Sequence, residues 1–313
     1  MALIVALLWR VDLRALTQQL ANTHWGWAVV SCALAIASIW TRARRWHYLF
    51  PPASHPPALF RAAMIGYMVN NVLPLRAGEI VRVYVVSRHW SRGFWLTLAT
   101  LVVELVLNGV AVVLMLAGLV LVVPVPPAMR WAAVVFLAID VLVALILVAV
   151  AAATEVCRSV IIGATRRWEH LQGRLMGIFE MFLRGLVGVR TPSHLIPLLG
   201  WSAVVWIVPA LAAWTALFAA RLDLPISAAW GVLAFVGLGI SVPSAPGYIG
   251  VFHAAAVLAL AMFGVATPAA LGYALLFHAC QFVPITLFGW VVLLREHMSL
   301  SDATRRPLAS VES

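Results

Sequence analysis

The sequence has little charge and contains no lysine. Only 10% of its 313 residues are charged, whereas soluble domains carry about 25%. The mean hydropathy is +1.02, and several apolar runs approach the ~20 residues that a helix needs to span a bilayer. The alternating ten-residue segments of a transmembrane β-barrel do not occur. We therefore predict an all-α, polytopic membrane helix bundle.

Cysteines and catalytic signatures are also scarce. The three cysteines are scattered and form no Cys-x-x-Cys pair, which argues against a disulfide framework or a zinc site. The sequence has no phosphate-binding P-loop, no His-Glu-x-x-His and no Gly-x-Ser-x-Gly. We therefore expect no enzymatic activity, no metal and no cofactor. The apolar start, Met1–Trp9, lacks a basic region and a cleavage site, so a signal peptide is not expected.

The net charge of +10 comes entirely from arginine, in clusters between the apolar runs. Such clusters are typical of cytoplasmic loops beside anionic lipid, so we expect no nucleic-acid partner. Arg42, Arg44 and Arg45 follow the run 25–41, and six more arginines lie in the loop 153–193. We predict a multi-pass protein of the cell (inner) membrane, with these segments and the C-terminus in the cytoplasm.

One integral membrane domain is predicted over 1–298, followed by a disordered cytoplasmic tail over 299–313. Within the domain, the segment at about 155–190 carries an apolar stripe at spacings of three and four residues. The stripe consists of Leu171, Leu175, Ile178, Phe182 and Leu186. This pattern predicts an amphipathic helix, which lies either at the membrane interface or against the inner end of the bundle.

Two further apolar regions, 59–90 and 227–264, are interrupted by polar residues, prolines and glycines. We call residues 70–78 the first break and residues 241–250 the second break. A full crossing by the first region would place the six-arginine loop outside, so we predict a re-entrant pair of half-helices there. For the second region, two crossings and one re-entrant hairpin both remain open. Two opposed hairpins resemble the broken-helix plan of secondary transporters.

The first break concentrates charge. Because Leu73 precedes Pro74, the chain should be extended there, with a new helix starting near Pro74. Arg76, Glu79 and Arg82 would then share one helix face. Three unpaired charges at the bilayer centre cost roughly 8–10 kcal/mol, so they must be paired, solvated or close to the interface. The helix N-terminus and Arg76 suit an anion such as a lipid phosphate; the alternative is a structural clamp.

Other polar residues complete the candidate site. Glu104 should pair with Arg76 or Arg82, and Asp140 should pair within the bundle or be protonated. His253, a lone histidine in an apolar helix, is either a hydrogen-bonded core residue or a site residue, with His278 and Gln281 as its possible partners. The candidate substrate-binding residues are Asn71, Arg76, Glu79, Arg82, Glu104, Ser244, Gly247, Tyr248 and His253.

These motifs resemble the flippase-like family named for the transmembrane region of lysylphosphatidylglycerol synthases, whose members are also described as dolichol-phosphate-glucose-synthetase-like. The resemblance covers nearly the whole chain. It rests on Arg45-Trp46, Asn71-x-x-Pro74-x-Arg76-x-Gly78-Glu79-x-x-Arg82, Glu104 and Pro243-x-x-Pro246-Gly247-x-x-Gly250. The sequence departs from the family at Asn108, where members often have aspartate, and at His253, where many have glutamate.

The resemblance implies seven to nine membrane segments and a role in moving or presenting lipids or lipid-linked sugars. We therefore expect a lipid flippase or transporter-like protein whose partners are membrane lipids, either anionic phospholipids or lipid-linked sugars. The alternative is a non-transporting membrane partner of a lipid-modifying enzyme or glycosyltransferase.

Overall fold

The computed structural model describes residues 21–52, 58–74, 76–89, 93–241 and 245–296. Within these ranges the chain is helical and forms no strand. The helices are α1 (Trp25–His47), α2 (Leu59–Val72), α3 (Gly78–His89), α4 (Phe94–Val120), α5 (Pro127–Ala152), α6 (Thr154–Thr165), α7 (Glu169–Gly185), α8 (Val187–Arg190), α9 (Pro192–Ala219), α10 (Ile226–Ser241), α11 (Val251–Ala261) and α12 (Thr267–Arg295). The predicted tail over 299–313 lies outside the described residues.

Five of these helices, α1, α4, α5, α9 and α12, are long and apolar enough to cross a membrane. The shortest has 23 residues, which gives a length of about 35 Å at 1.5 Å per residue. The hydrocarbon core of a bilayer is about 30 Å thick. The prediction of an all-α polytopic bundle is therefore confirmed.

The two interrupted regions form pairs of short helices. Helices α2 and α3 have 14 and 12 residues, and α10 and α11 have 16 and 11. Each is shorter than the ~20 residues of a membrane span, and the members of each pair pack against one another. The prediction of broken helix pairs is confirmed, and the lengths of α10 and α11 favour one hairpin over two crossings.

The first break differs from its predicted form at one point. Leu73 is extended, as expected before proline, with φ −107° and ψ 148°. However, α3 begins at Gly78 and not near Pro74. Arg76 adopts a left-handed φ of 56°, which a continuous right-handed helix cannot contain. The Gly78 N–H then donates to Asn70 Oδ1 at 2.8 Å, so a side chain of α2 caps α3.

Two glycines bring the legs of this hairpin into backbone contact. A Cβ atom on Gly66 would lie 2.7 Å from the Gly78 carbonyl oxygen, and a Cβ on Gly78 would overlap the Gly66 carbonyl. Only a residue without a side chain allows this approach. The contact fixes the start of α3, and therefore the position of its charged residues, relative to α2.

Contacts between helix ends show which ends lie together on each of the two sides of the bundle. On one side, His194 Nδ1 at the start of α9 lies 3.0 Å from the Tyr48 carbonyl oxygen after α1. Arg61 in α2 pairs with Glu296 after α12 at 2.8 Å on the same side. On the other side, the His24 N–H donates to Ala219 O at the end of α9. If each of the five long helices crosses the membrane once, the helix ends fall on these two sides. That the first side is the cytoplasmic one stays a prediction.

The amphipathic stripe packs against the bundle. Leu175, Ile178 and Phe182 of α7 line an apolar pocket together with Trp95 and Leu98 at the start of α4. These three residues of the stripe therefore face the end of α4, as the second of the two predicted alternatives requires, whereas Leu171 is 40% exposed.

We predict that Gly78→Ala lowers the free energy of unfolding by about 1–3 kcal/mol, because the new methyl group overpacks the α2–α3 contact. Thermal unfolding in detergent would measure the effect. Gly118→Ala is the matched control, since a Cβ atom there meets nothing within 4 Å, and it should leave stability unchanged or slightly raised. Equal melting temperatures for the two variants would contradict the close approach of α2 and α3.

Candidate functional site

A cavity of about 460 Å³ lies inside the bundle, between the two broken helix pairs and helices α1, α4, α5, α9 and α12. This volume is within the range of about 300–1,000 Å³ that is typical of ligand sites. Its polar and amphipathic lining includes Arg42, Tyr67, Asn70, Asn71, Arg76, Glu79, Arg82, Asn108, Asp140, Trp206, Tyr248, His278 and Gln281.

One carboxylate organises the charges behind this wall. Glu104 of α4 is fully buried. Its Oε2 lies 3.1 Å from Arg82 Nη2 and its Oε1 lies 3.5 Å from Arg45 Nη2. The sequence predicted that Glu104 pairs with Arg76 or Arg82. The pairing with Arg82 is confirmed, and the second arginine that contacts Glu104 is Arg45 and not Arg76. Arg45 reaches this position because it lies in the last turn of α1.

The charged residues of the first break form a continuous row, as their spacing predicted. Glu79 Oε2 lies 2.7 Å from Arg82 Nη2, and Glu79 Oε1 lies 3.3 Å from Arg76 Nη2. We call Arg45, Glu79, Arg82 and Glu104 the buried ionic network. The Arg82 side chain is 3% exposed and that of Arg76 is 31% exposed, so Arg76 is the accessible end. With Arg76 included, three arginines face two glutamates, which leaves excess positive charge.

Neutral groups hold the two buried arginines in place. Arg45 Nη2 donates to Asn108 Oδ1 at 2.6 Å. The Arg82 guanidinium carbon lies 5.0 Å from the centre of the Trp46 ring, within the range of a cation–π interaction. The Trp46 indole N–H in turn donates to Thr100 Oγ1 at 3.0 Å. Trp46 is therefore a positioning residue for Arg82.

The two breaks meet beside the cavity. The second break contains the short 3₁₀ turn Pro246–Tyr248, in which Gly247 and Tyr248 have positive φ values of 63° and 58°. A Cβ atom on Gly247 would lie 3.2 Å from the Asn71 carbonyl oxygen, so glycine permits this contact between breaks. The Tyr248 hydroxyl also lies beside the Arg76 guanidinium.

One backbone N–H group at each break is bonded to a nearby side chain. Gly78 N–H donates to Asn70 Oδ1, and Gly250 N–H donates to His253 Nδ1 at 3.3 Å. The N–H groups of Gly78 and Gly250 are therefore not available to a ligand, while donation by the other N–H groups of the half-helix starts stays a prediction. The positive charge of the site comes from the arginine side chains.

The buried His253 has mainly this capping role. Its ring lies 4.8 Å from the His278 ring, but His278 Nε2 contacts the Gly247 carbonyl oxygen at 2.9 Å. The predicted neighbour is therefore present, although the hydrogen bonds of both rings go to the backbone. No group of three or more potential metal ligands occurs in the part of the chain that the structure describes.

The structure brings five of the predicted site residues to the cavity wall: Asn71, Arg76, Glu79, Arg82 and Tyr248. Glu104, Gly247 and His253 are buried and are not part of that wall. Ser244 lies outside the described residues. Substrate binding by any of these residues stays a prediction.

Sequence reasoning missed Arg42, which it treated only as a marker of topology. The Arg42 guanidinium carbon lies 5.7 Å from the Tyr67 ring centre and 5.6 Å from the Trp206 ring centre, on the cavity wall. The spacing of the arginines could have indicated this position, since Arg42 and Arg45 are three residues apart and therefore share a helix face. Arg44 points elsewhere, toward Trp201.

A family model described as "Lysylphosphatidylglycerol synthase TM region" matches residues 1–289 of this chain. No curated protein and no solved structure matches it.

We predict that Glu104→Ala destabilises the protein by about 3–5 kcal/mol, because it leaves two buried guanidinium groups without their shared carboxylate. Thermal unfolding in detergent would measure this loss. The control is Glu155→Ala, since Glu155 pairs with Arg158 but is 83% exposed, and exposed pairs contribute little. Wild-type stability of the Glu104 variant would contradict a structural role for the buried ionic network.

Proposed function

This chain belongs to the lysylphosphatidylglycerol synthase transmembrane-region family, since that family's model matches residues 1–289, and from this premise we propose that it is a lipid flippase or transporter-like protein. It translocates or presents a lipid with a polar, phosphate-bearing headgroup. The family places the chain among membrane proteins involved in lipid modification or translocation. Its location is the cell (inner) membrane, with the C-terminus in the cytoplasm.

The position of Arg76 carries the proposal. Its side chain is 31% exposed and is the most accessible of a row of charges in which Glu79 is 13% and Arg82 is 3% exposed. It lies on the cavity wall beside Asn71, Glu79 and Tyr248. A guanidinium group offers several N–H donors in a planar fork that matches phosphate oxygens. A headgroup phosphate therefore fits this end of the cavity better than a cationic group does.

The buried ionic network supports such a role by holding the arginine row in one place. Glu79 contacts both Arg76 and Arg82, and Glu104 fixes Arg82 from the opposite side. A phosphate arriving at Arg76 competes with Glu79 for one guanidinium and leaves the deeper pairs intact. Binding and release then require no rearrangement of the buried charges.

The remaining cavity wall suits acyl chains. Val102, Leu105 and Val106 of α4 and Ile139 and Val143 of α5 line it. Helix α5 is the most hydrophobic of the five long helices, and only 6% of its most apolar window is buried. The wall that α5 forms is thus next to lipid, so a headgroup can occupy the cavity while its acyl chains stay in the bilayer.

The family description favours a second candidate function. It names the membrane part of a synthase, so this chain would serve a lipid-modifying or glycosyl-transferring enzyme without moving lipid itself. Under this hypothesis the cavity presents the lipid to a partner. Activity would then appear only when a transferase is present.

We predict that Arg76→Ala and Glu79→Ala each reduce translocation of fluorescent anionic phospholipids by about tenfold or more in reconstituted vesicles. Arg76 supplies the donors for the phosphate and Glu79 positions it; loss of one hydrogen bond to a charged group corresponds to about tenfold. The control is Arg158→Ala, since Arg158 pairs with Glu155 and Glu180 outside the cavity.

Wild-type transport in both cavity variants would exclude this role for the first break. Absence of transport by the wild-type protein, together with capture of a transferase from the native membrane, would favour the second candidate.

A further inference from the structure

Asp140 is an unexplained charged residue in the cavity. It is the one residue of α5 that is buried, with 9% of its surface exposed. Apart from Arg130 in its first turn, the rest of α5 presents apolar side chains to its surroundings. An ionisable group at membrane depth is costly and usually has a function. The proposed phosphate site does not use this carboxylate.

The backbone opposite Asp140 provides space for its carboxylate. A Cβ atom on Gly109 of α4 would overlap both the carboxyl carbon and Oδ1 of Asp140. The missing side chain of Gly109 therefore leaves space in α4, which we call the notch, for the Asp140 side chain to enter the bundle. Gly109 and Asp140 both line the cavity, so the notch brings the carboxylate to its wall.

No protein group satisfies this carboxylate within the described residues. Asp140 Oδ2 is buried and accepts no hydrogen bond there, and no salt bridge to Asp140 is formed. Other buried atoms of cavity-lining residues also have no hydrogen-bond partner, among them Gln281 Nε2 and Trp206 Nε1. Buried polar groups are nearly always hydrogen-bonded, so the cavity holds unmet acceptor and donor capacity.

We propose that Asp140 is a second recognition point of this cavity, which accepts a hydrogen bond from a hydroxyl or ammonium group of the headgroup whose phosphate lies at Arg76. The proposal rests on the proposed lipid-binding function and specifies its substrate class. The preferred lipid carries a phosphate and, a few bonds further on, a hydrogen-bond donor. A phosphate monoester without such a group leaves Asp140 unsatisfied and adds anionic repulsion.

Asp140 lies away from the buried ionic network along α4. Gly109, opposite Asp140, lies five residues after Glu104 in α4. Five residues correspond to about 7.5 Å along a helix axis. Asp140 is therefore displaced by about this distance along α4 from Glu104. Arg76 and Asp140 both line the cavity, and the proposal requires a headgroup that contacts both residues within it.

The test is competitive lipid binding, measured by native mass spectrometry of the full-length protein in detergent. Three lipids with identical acyl chains compete: phosphatidic acid without a donor substituent, phosphatidylglycerol with hydroxyl groups and phosphatidylethanolamine with an ammonium group. The wild-type protein should retain the latter two about tenfold more than phosphatidic acid, as expected for one additional charged hydrogen bond. Asp140→Leu should abolish this preference.

Two variants separate the donor types and guard against a folding defect. Asp140→Asn keeps an acceptor oxygen but removes the charge, so it should retain the preference for phosphatidylglycerol and lose that for phosphatidylethanolamine. Leu142→Ala is the control on the same helix, since Leu142 is 57% exposed, does not line the cavity, and alanine keeps the lipid-facing surface apolar. This control should bind all three lipids like the wild-type protein.

Equal retention of the three lipids by the wild-type protein, or an unchanged preference in Asp140→Leu, would overturn the proposal. Arg76→Ala should instead weaken binding of all three lipids equally. A failed translocation assay with an intact Asp140-dependent preference refutes the proposed transport and leaves this inference standing. A wild-type protein that retains none of the three lipids refutes both.

Discussion

The site depends on the cost of burying a carboxylate and two guanidinium groups at membrane depth. Each charge alone would cost about 2.5–3.5 kcal/mol at the centre of a bilayer. Glu104 meets this cost by contacting Arg45 and Arg82 at once, which ties α1, α3 and α4 together through one side chain. Removing Glu104 leaves Arg45 without a carboxylate partner and takes from Arg82 its contact to α4, so the network constrains where α3 can lie.

Close backbone contacts also hold the two broken helix pairs in position. Gly66 and Gly78 let α2 and α3 touch, and Asn70 caps the start of α3. Gly247 brings the second break against the first at the Asn71 carbonyl. The broken segments therefore satisfy one another inside the protein, as irregular backbone at membrane depth requires. The same contacts place Arg76 and Tyr248 side by side on the cavity wall.

The sequence predicted those features that follow from local spacing and from hydropathy. These include the long helices, the two broken pairs, the row Arg76–Glu79–Arg82 and the pairing of Glu104 with Arg82. It failed where a side chain reaches across the bundle. Asn70 shifts the start of α3 from Pro74 to Gly78, and Arg45 displaces Arg76 as the second partner of Glu104. Neither contact follows from helical spacing, because each joins side chains or backbone of two separate helices that pack together.

The central claim is that the ionic network holds Arg76 ready for a lipid phosphate inside the cavity. The most direct measurement is a cryo-electron microscopy structure of the protein in nanodiscs that contain anionic phospholipid. The account predicts headgroup density in the cavity, with a phosphate within hydrogen-bonding distance of Arg76. Lipid density confined to the outer surface, with only Glu79 and Tyr248 beside Arg76, would contradict it.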